Sequence, residues 1–262
     1  MPTQTSALGV RAVRAFTDNY IWLIEAPGNR LIAVDPGEAA PVRAELERSG
    51  ASLAAILLTH HHLDHIGGVA ELQAAAPVRV IGPADSRIPF GVETVGEGDR
   101  CEFPDLGLGF DILHVPGHTL SHIAFFGHGA LFCGDTLFSA GCGRMFEGTP
   151  PQMWASLNRL RELAPETLMY CGHEYTAANL RFALAAEPAN SAASDYRDRV
   201  AQVRAENLPT LPSPLSLERR INPFLRCDIP EVRQAAAAHA GRALRSDDEV
   251  FGTLRAWKDQ FR

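Results

Sequence analysis

The residues most able to do chemistry lie in one short segment. Residues 59–68 read Thr-His-His-His-Leu-Asp-His-Ile-Gly-Gly, so four of the chain's ten histidines fall within six residues, beside a carboxylate. Imidazole nitrogens and carboxylate oxygens are ligands of first-row divalent metals, and this segment contains no thiolate. His60 and His62, two residues apart, can point at one centre, whereas Asp64 and His65 belong to the next turn and can address a second. The segment therefore predicts a metal site.

The elements around this segment are expected to hold its side chains at the end of a strand. Residues 53–58 form an apolar run of the length of a buried strand, so the histidines follow directly where that strand ends. Asp64 can cap a helix, which we predict to continue to about residue 75.

Three further polar residues recur in the same setting, each after an apolar run and close to a glycine. They are His118 in Val-Pro-Gly-His-Thr, Asp135 in Gly-Asp-Thr and His173 in Gly-His-Glu-Tyr. A glycine lets the backbone turn sharply at such a position. Because ligands of α/β proteins collect beyond the ends of strands, we expect these residues and the histidine segment to converge.

The histidine segment is also the first point of resemblance to a known family. The pattern His-x-His-x-Asp-His resembles the signature of the metallo-β-lactamase superfamily, and Thr-His-His-His-x-Asp-His is similar to that of the glyoxalase II family, the hydroxyacylglutathione hydrolases. With the three later motifs, the resemblance covers nearly the whole chain. It implies hydrolysis of S-(2-hydroxyacyl)glutathione thioesters, chiefly S-D-lactoylglutathione, to glutathione and D-lactate, a reaction of methylglyoxal detoxification.

The resemblance also implies a ligand set for two divalent ions, with zinc as the first expectation and iron or manganese as alternatives. It assigns one ion to His60, His62 and His118, and the other to Asp64, His65 and His173. Asp135 would bridge the two ions. Asp64 and Asp135 are thus the expected catalytic carboxylates, and a hydroxide bridging the metals would be the nucleophile. His61 lies between ligands but points the other way if the segment is extended, so we expect it to be structural.

The substrate side is implied by the same resemblance. Glutathione carries carboxylates, and the family pattern places a substrate loop at 141–149 and a substrate-binding segment near the C-terminus. Arg255 and Lys258, three residues apart on one helix face, can both meet one carboxylate. Phe146 stands where some members have tyrosine, which removes one hydrogen bond. The expected substrate-binding residues are Arg144, Phe146, Tyr175, Arg255 and Lys258.

The composition of the chain restricts which partners and which cellular compartment we expect for it. The chain has 262 residues and a formal net charge of -7, which argues against nucleic acid or an anionic membrane as a partner. Its cysteines number five, an odd count, and favour free thiols in a reducing compartment. Residues 1–6 show no signal peptide, and no apolar run is long enough to cross a membrane. We expect a cytoplasmic protein whose partner is a small-molecule glutathione thioester. We also expect a monomer.

The order of elements predicts an α/β fold of two domains. The resemblance implies an αββα metallo-β-lactamase-type sandwich over residues 1–174 as the catalytic domain, followed by a smaller all-helical substrate-binding domain over residues 175–262. Strand-like alternation ends near residue 174, and alanine-rich helical segments follow it. Residues 208–223, which contain four prolines, are predicted to be an extended crossing.

Three other functions remain open at this point. A lactonase or lactamase of the same superfamily could share the metal ligands, but it would not be expected to share Tyr175, Arg255 and Lys258. An iron-dependent persulfide dioxygenase would use one metal and lack the helical tail. A non-catalytic scaffold would usually have lost ligands.

Overall fold

The computed structural model describes residues 8–261, so the N-terminal residues 1–6 considered above lie outside the described part of the chain. The described residues form two compact units. The first unit comprises residues 8–114 and 121–134, and the second comprises residues 115–120 and 135–261.

The first unit contains a mixed sheet that is followed by helices after two of its strands. Strands β1, β2 and β3 are antiparallel neighbours, and β3 to β6 run parallel. Parallel neighbours need a crossover connection, which α1 provides between β3 and β4, and α2 with α3 between β4 and β5. The elements are β1 (Val10–Ala15), β2 (Asn19–Ala26), β3 (Arg30–Val34), α1 (Ala39–Ser49), β4 (Ser52–Leu57), α2 (Leu63–Ile66), α3 (Val69–Ala75), β5 (Arg79–Gly82) and β6 (Glu93–Thr94).

The mixed sheet is buried on both faces. Ile21 and Leu23 of β2 point to one face, where they pack in a core with Val42 of α1 and residues of α3. The alternate residues Trp22 and Ile24, on the opposite face, are also buried. The strands of a sheet that is covered on both sides have continuous apolar sequences, which is why the apolar run at residues 53–58 predicts β4.

A second set of strands in the first unit is antiparallel. Ile123 N donates to Thr59 O at 3.0 Å, which ties the start of β9 to the histidine segment. His128 and Gly129 connect β9 to β10 and both have positive φ, as a two-residue hairpin with the twist of its strands requires. These strands are β7 (Arg100–Phe103), β8 (Leu108–His114), β9 (Ile123–Gly127) and β10 (Ala130–Gly134).

The second unit is mainly helical. Its core contains Phe182, Phe224 and Phe251, each fully buried, with Phe224 in ring contact with the other two. Its elements are β11 (Leu137–Phe138), β12 (Gly141–Cys142), α4 (Pro150–Arg161), β13 (Leu168–Cys171), α5 (Thr176–Ala186), α6 (Ser191–Ala205), β14 (Ser213–Pro214), α7 (Leu215–Ile221), α8 (Pro230–Ala240) and α9 (Asp247–Gln260).

The continuous helix predicted from Asp64 to residue 75 is wrong. The chain forms α2, whose N-cap is His62, and a separate α3 that begins at Val69. A Cβ on Gly68 would lie 2.5 Å from the backbone nitrogen of Ala39, so the start of α1 packs directly against the break. This close backbone approach separates the two helices, and Asp64 lies in the first turn of α2.

The extended crossing predicted at 208–223 is also wrong in its second half. Residues Leu215–Ile221 form α7, with Pro214 as the residue before its first turn. Proline fixes φ at a value that suits entry into a helix, so the prolines here precede α7 and do not prevent it.

Two general features concern the cysteines and the lengths of the helices. All five cysteines are buried and free. Within residues 8–261, no helix combines the length and the apolarity needed to cross a membrane.

Candidate metal centre and substrate cavity

The histidine segment of the first unit is fixed by a buried aspartate, Asp35, at the end of β3. Asp35 Oδ1 accepts from Thr59 N at 2.8 Å, and Asp35 Oδ2 accepts from Thr59 Oγ1 at 2.7 Å. The same Oδ2 lies 3.0 Å from His65 Nδ1. Asp35, Thr59 and His65 are all buried, so these bonds are shielded from water. Asp35 therefore links both parts of the segment.

These contacts determine which ring nitrogen of His60 and His65 carries the proton. A carboxylate only accepts, so the hydroxyl of Thr59 donates to Asp35, and its oxygen then accepts from His60 Nδ1–H, 3.0 Å away. His65 Nδ1–H donates to Asp35 directly. In the neutral imidazole, Nε2 of each ring is then the nitrogen with a lone pair, which is the form that binds a metal.

The two remaining ligand candidates of the segment, His62 and Asp64, lie beside these Nε2 atoms. His62 Nδ1 is 3.1 Å from His60 Nε2, and Asp64 Oδ2 is 3.5 Å from His65 Nε2. Asn19 Nδ2 donates to Asp64 Oδ2 at 2.9 Å, which holds that carboxylate in place. The first unit thus brings together the four ligand candidates that the motif predicted within it.

The second unit brings together the remaining three. His118 Nε2 lies 3.5 Å and His173 Nε2 3.3 Å from the same atom, Asp135 Oδ2. His118 Nδ1 donates to the carbonyl oxygen of Arg144 at 2.8 Å, so the lone pair of that neutral ring is on Nε2, facing the carboxylate. His173 stacks on Tyr175, with ring centroids 4.7 Å apart and planes inclined by 4°, which fixes its ring plane.

The donor atoms in both units fit a divalent metal. Where metal–nitrogen bonds are about 2.0–2.1 Å and the geometry is tetrahedral, neighbouring ligand atoms lie roughly 3.3 Å apart. The four separations above run from 3.1 to 3.5 Å. Lone pairs that face a carboxylate at this distance repel it unless a cation lies between them. The separations and the donor types therefore fit a divalent metal, and nitrogen and oxygen donors suit zinc, iron or manganese alike.

Glycines allow the backbone to approach these ligands. A Cβ on Gly143 would lie 1.9 Å from the carbonyl oxygen of Asp135 and 3.1 Å from His118 Nδ1. Gly134 has φ +46, and a Cβ there would lie 2.2 Å from Thr59 Oγ1. Both positions therefore require a residue without a side chain.

His61 makes contacts of a different kind, in keeping with the structural role expected of it. Its Nδ1 lies 3.3 Å from Asp85 Oδ2. A hydrogen bond from Arg87 is the main reason that the pKa of Asp85 lies well below its ordinary value, and a bond from Ser121 acts in the same direction. Asp85 is therefore ionised and lies beside His61, whose ring centroid is 6.3 Å from that of His60.

The second unit contains a cavity of about 480 Å³. His118 and Asp135 line it, as do Asn179 and Cys142. All the residues expected to bind substrate also line this cavity: Arg144, Phe146, Tyr175, Arg255 and Lys258. Candidate metal-ligand side chains and cationic side chains thus face one space, a combination suited to an anionic substrate with a reactive centre.

The cations of the cavity differ in their environments. Arg255 is 4% exposed, donates from Nη1 to the carbonyl oxygen of Cys142 at 2.8 Å and pairs with Asp259. The ammonium of Lys258 lies 5.5 Å from the ring centroid of Phe182. Burial, followed by the nearby Arg255, lowers the pKa of Lys258 to about 8. Arg144 is the most exposed of the three.

Several of these contacts were missed by the sequence analysis. Asp35 is followed in the sequence by Pro-Gly, which signals only a turn. Asn19 and Asp259 gave no signal, because polar residues in a turn or on a charged helix are common. The one available sign is that Asp35 directly follows the apolar run of residues 31–34, where a buried carboxylate must have partners.

Comparison with known proteins adds an independent line of evidence. Residues 15–173 match the model of the metallo-beta-lactamase superfamily, and residues 174–261 match the hydroxyacylglutathione hydrolase C-terminus. These matches confirm the predicted fold class, a metallo-β-lactamase-type domain followed by a helical C-terminal domain.

Named relatives match over nearly the full length. A hydroxyacylglutathione hydrolase of Xanthomonas campestris pv. campestris is 53% identical over 252 residues, covering 96% of this chain and 98% of the relative. The hydroxyacylglutathione hydrolase of Photobacterium profundum is 51% identical over 255 residues, covering 97% of this chain and 100% of the relative. Among solved structures, the di-iron-bound form of TTHA1623 is 29% identical, with a TM-score of 0.59, covering 81% of this chain and 98% of that one.

Proposed function

This chain belongs to the hydroxyacylglutathione hydrolase family of the metallo-β-lactamase superfamily, and we propose that it hydrolyses S-(2-hydroxyacyl)glutathione thioesters. The principal substrate would be S-D-lactoylglutathione and the products glutathione and D-lactate, as in methylglyoxal detoxification. The observation that carries the proposal is the cavity of the second unit, whose wall contains metal-ligand residues and three cations.

We propose two divalent ions per chain, with the ligand assignment that the family pattern implies. One ion would be held by His60, His62 and His118, the other by Asp64, His65 and His173, with Asp135 shared. The clustering of these donors within each unit supports the assignment. Bound there, the ions would act as Lewis acids that polarise the thioester carbonyl and lower the pKa of water. Zinc is the ion we expect, with iron and manganese as alternatives.

The chain's own groups prepare this chemistry by fixing protons. Asp35 holds the proton of His65 on Nδ1 and, through Thr59, that of His60 on Nδ1. The carbonyl of Arg144 does the same for His118. The ligand nitrogens therefore present lone pairs without rearrangement, which removes a reorganisation cost from metal binding.

The cationic side of the cavity would hold the glutathione portion. Arg144, Arg255 and Lys258 can meet a carboxylate, and Tyr175 can donate its hydroxyl to the peptide. Phe146, 64% exposed, offers only an apolar surface at the rim. In the reaction, water adds to the thioester carbonyl carbon and the C–S bond breaks. The sulfur departs as a thiolate, a good leaving group, so no strong general acid is needed.

The division of the chain stays part of this proposal. Residues 1–174 would form the catalytic domain and residues 175–262 the helical substrate-binding domain. We also propose that the protein is located in the cytoplasm and that its oligomeric state is a monomer.

A substrate panel tests the function. The metal-loaded protein is assayed against S-D-lactoylglutathione, a lactone, a β-lactam and a glutathione persulfide, and free thiol, ring opening and oxygen uptake are measured. We expect rapid thiol release from the thioester only. Faster turnover of the lactone or the β-lactam, or oxygen uptake with the persulfide, would favour the corresponding alternative.

A further inference from the structure

One carboxylate, that of Asp259, stands among the cations that line the cavity of the second unit. Its Oδ1 lies 3.1 Å from Arg255 Nη2 and 3.3 Å from Arg144 Nε. Arg255 lies one helical turn before it on α9, whereas Arg144 follows β12, far away in the sequence. A single acidic oxygen therefore joins two cations that would otherwise be open to an anionic ligand.

Asp259 contributes little to the stability of α9, the helix in which it lies. It lies in the last turn of α9, where the negative end of the helix dipole disfavours a carboxylate. Its partner Arg255 is four residues nearer the N-terminus, which is the less favourable order for an i,i+4 ion pair. Its side chain is 41% exposed, and surface pairs of this kind contribute little to stability. Helix stability therefore does not account for an acid at this site.

Arg144 and Arg255 differ in how strongly their positions depend on the Asp259 carboxylate. Arg255 is buried and also held by the carbonyl oxygen of Cys142, so its position does not depend on Asp259 alone. Its Nε is buried and has no hydrogen-bond partner among the described residues, so one donor of the guanidinium is still to be satisfied. Arg144 has a side chain that is 64% exposed and can exchange partners at low cost.

We propose that Asp259 is an internal counter-charge, which a substrate carboxylate displaces from Arg144 when it enters the cavity. This inference rests on the proposed function, because it concerns the affinity for a carboxylate-bearing thioester. Asp259 is then a specificity-determining residue that limits affinity for anionic ligands. Removing its charge leaves both arginines available and strengthens substrate binding.

Asp259→Asn tests this idea, because asparagine keeps the size and one oxygen acceptor while it removes the charge. At pH about 7, KM for S-D-lactoylglutathione should fall by about two- to fivefold with kcat unchanged, the scale of one exposed ion pair. Higher salt should raise KM more steeply in the variant than in the wild type. A thioester that lacks the glutathione carboxylates should show no change.

Two further variants separate this local effect from others. Asp198→Asn removes one negative charge from α6, where Asp198 pairs with Arg197, and should leave KM unchanged. In an Arg144→Gln background, Asp259→Asn should change KM much less, because the competing pair is already absent. A raised or unchanged KM in Asp259→Asn would overturn the inference, and a raised KM would show that the carboxylate holds the arginines in place.

Calorimetry with S-methylglutathione, which cannot be hydrolysed, makes the test independent of turnover. The Kd should fall in Asp259→Asn by the same factor as KM, and an unchanged or raised Kd contradicts the inference. A wild-type protein that binds S-methylglutathione but does not hydrolyse the thioester would refute the proposed function and leave the role of Asp259 to be decided by Kd.

Discussion

Asp35 Oδ2 and His65 Nδ1 lie 3.0 Å apart in a buried cluster, and this contact fixes the ring nitrogen that His65 offers to a metal. Asp35→Asn keeps the side-chain size but replaces one acceptor with an amide donor. The amide nitrogen accepts no hydrogen bond, so the variant loses either the bond from Thr59 N or the bonds from Thr59 Oγ1 and His65 Nδ1. Loss of such a supporting bond typically weakens metal affinity by about ten- to a hundredfold, and we expect this loss when zinc is titrated against a competing chelator.

Asp85→Asn is the matched control. Asp85 is equally buried in the same unit and also lies beside a histidine, His61, which the family pattern does not make a ligand. This variant should lose stability but keep its metal affinity. Equal losses of affinity in both variants would mean that any damage to the first unit disturbs the site.

Metal removal should abolish thioesterase activity, and metal addition should restore it. Elemental analysis of the active protein should give two ions per chain. Asp135→Ala should lower metal content and rate more than His173→Ala, because Asp135 Oδ2 contacts both His118 and His173. Full activity at one ion per chain would contradict the binuclear proposal.

Gly143→Ala should damage the site although it adds only a methyl group. The new Cβ would meet the carbonyl oxygen of Asp135 at 1.9 Å, so the backbone that carries a proposed ligand must move. Overpacking of this kind costs about 1–3 kcal/mol of stability, and we expect a loss of bound metal as well. Gly96→Ala, where nothing lies within 4 Å of the added atom, is the control and should behave like the wild type in melting and in metal content.

Lys258 should make substrate binding depend on pH in a range where lysine normally does not titrate. Burial lowers its pKa to about 8, so it loses its charge as the pH rises through that value. KM for S-D-lactoylglutathione should therefore increase above about pH 8, and Lys258→Met should remove this increase of KM with pH. Because the folded-state pKa lies below the ordinary 10.5, the unfolded chain binds more protons between those values, and the free energy of unfolding should rise with pH there. A KM that stays flat through pH 8 in the wild type would contradict the assignment.

The regular elements could be predicted where local pattern alone decides them. The apolar run at residues 53–58 predicts a strand, and β4 is found at Ser52–Leu57, because the length of such a run is a local signal. The break between α2 and α3 could not be predicted, since it depends on the approach of the backbone of Ala39 to Gly68. Likewise, α7 follows a proline-rich run that by itself favours an extended chain.

The residues of the candidate site also differ in whether a local sequence pattern predicts them. His60 and His62 stand out because their residue types and spacing are unusual, so chemistry alone suggests a metal. Asp35 and Asp259 became meaningful only through partners distant in the sequence, which no local pattern encodes. The resemblance to a family supplied the substrate-binding roles, which geometry supports by placing those residues around one cavity.

The most direct test of the account compares two thioesters in Lys258→Met. The ammonium lies over the ring of Phe182, and methionine can keep that apolar packing while it removes the charge. For S-D-lactoylglutathione at pH about 7, KM should rise roughly tenfold or more, the scale of one lost charged contact, with a smaller change in kcat. For an analogue that lacks the glycyl carboxylate, KM should stay the same. Equal losses on both thioesters would show that Lys258 supports the fold and does not bind glutathione, and would contradict the account.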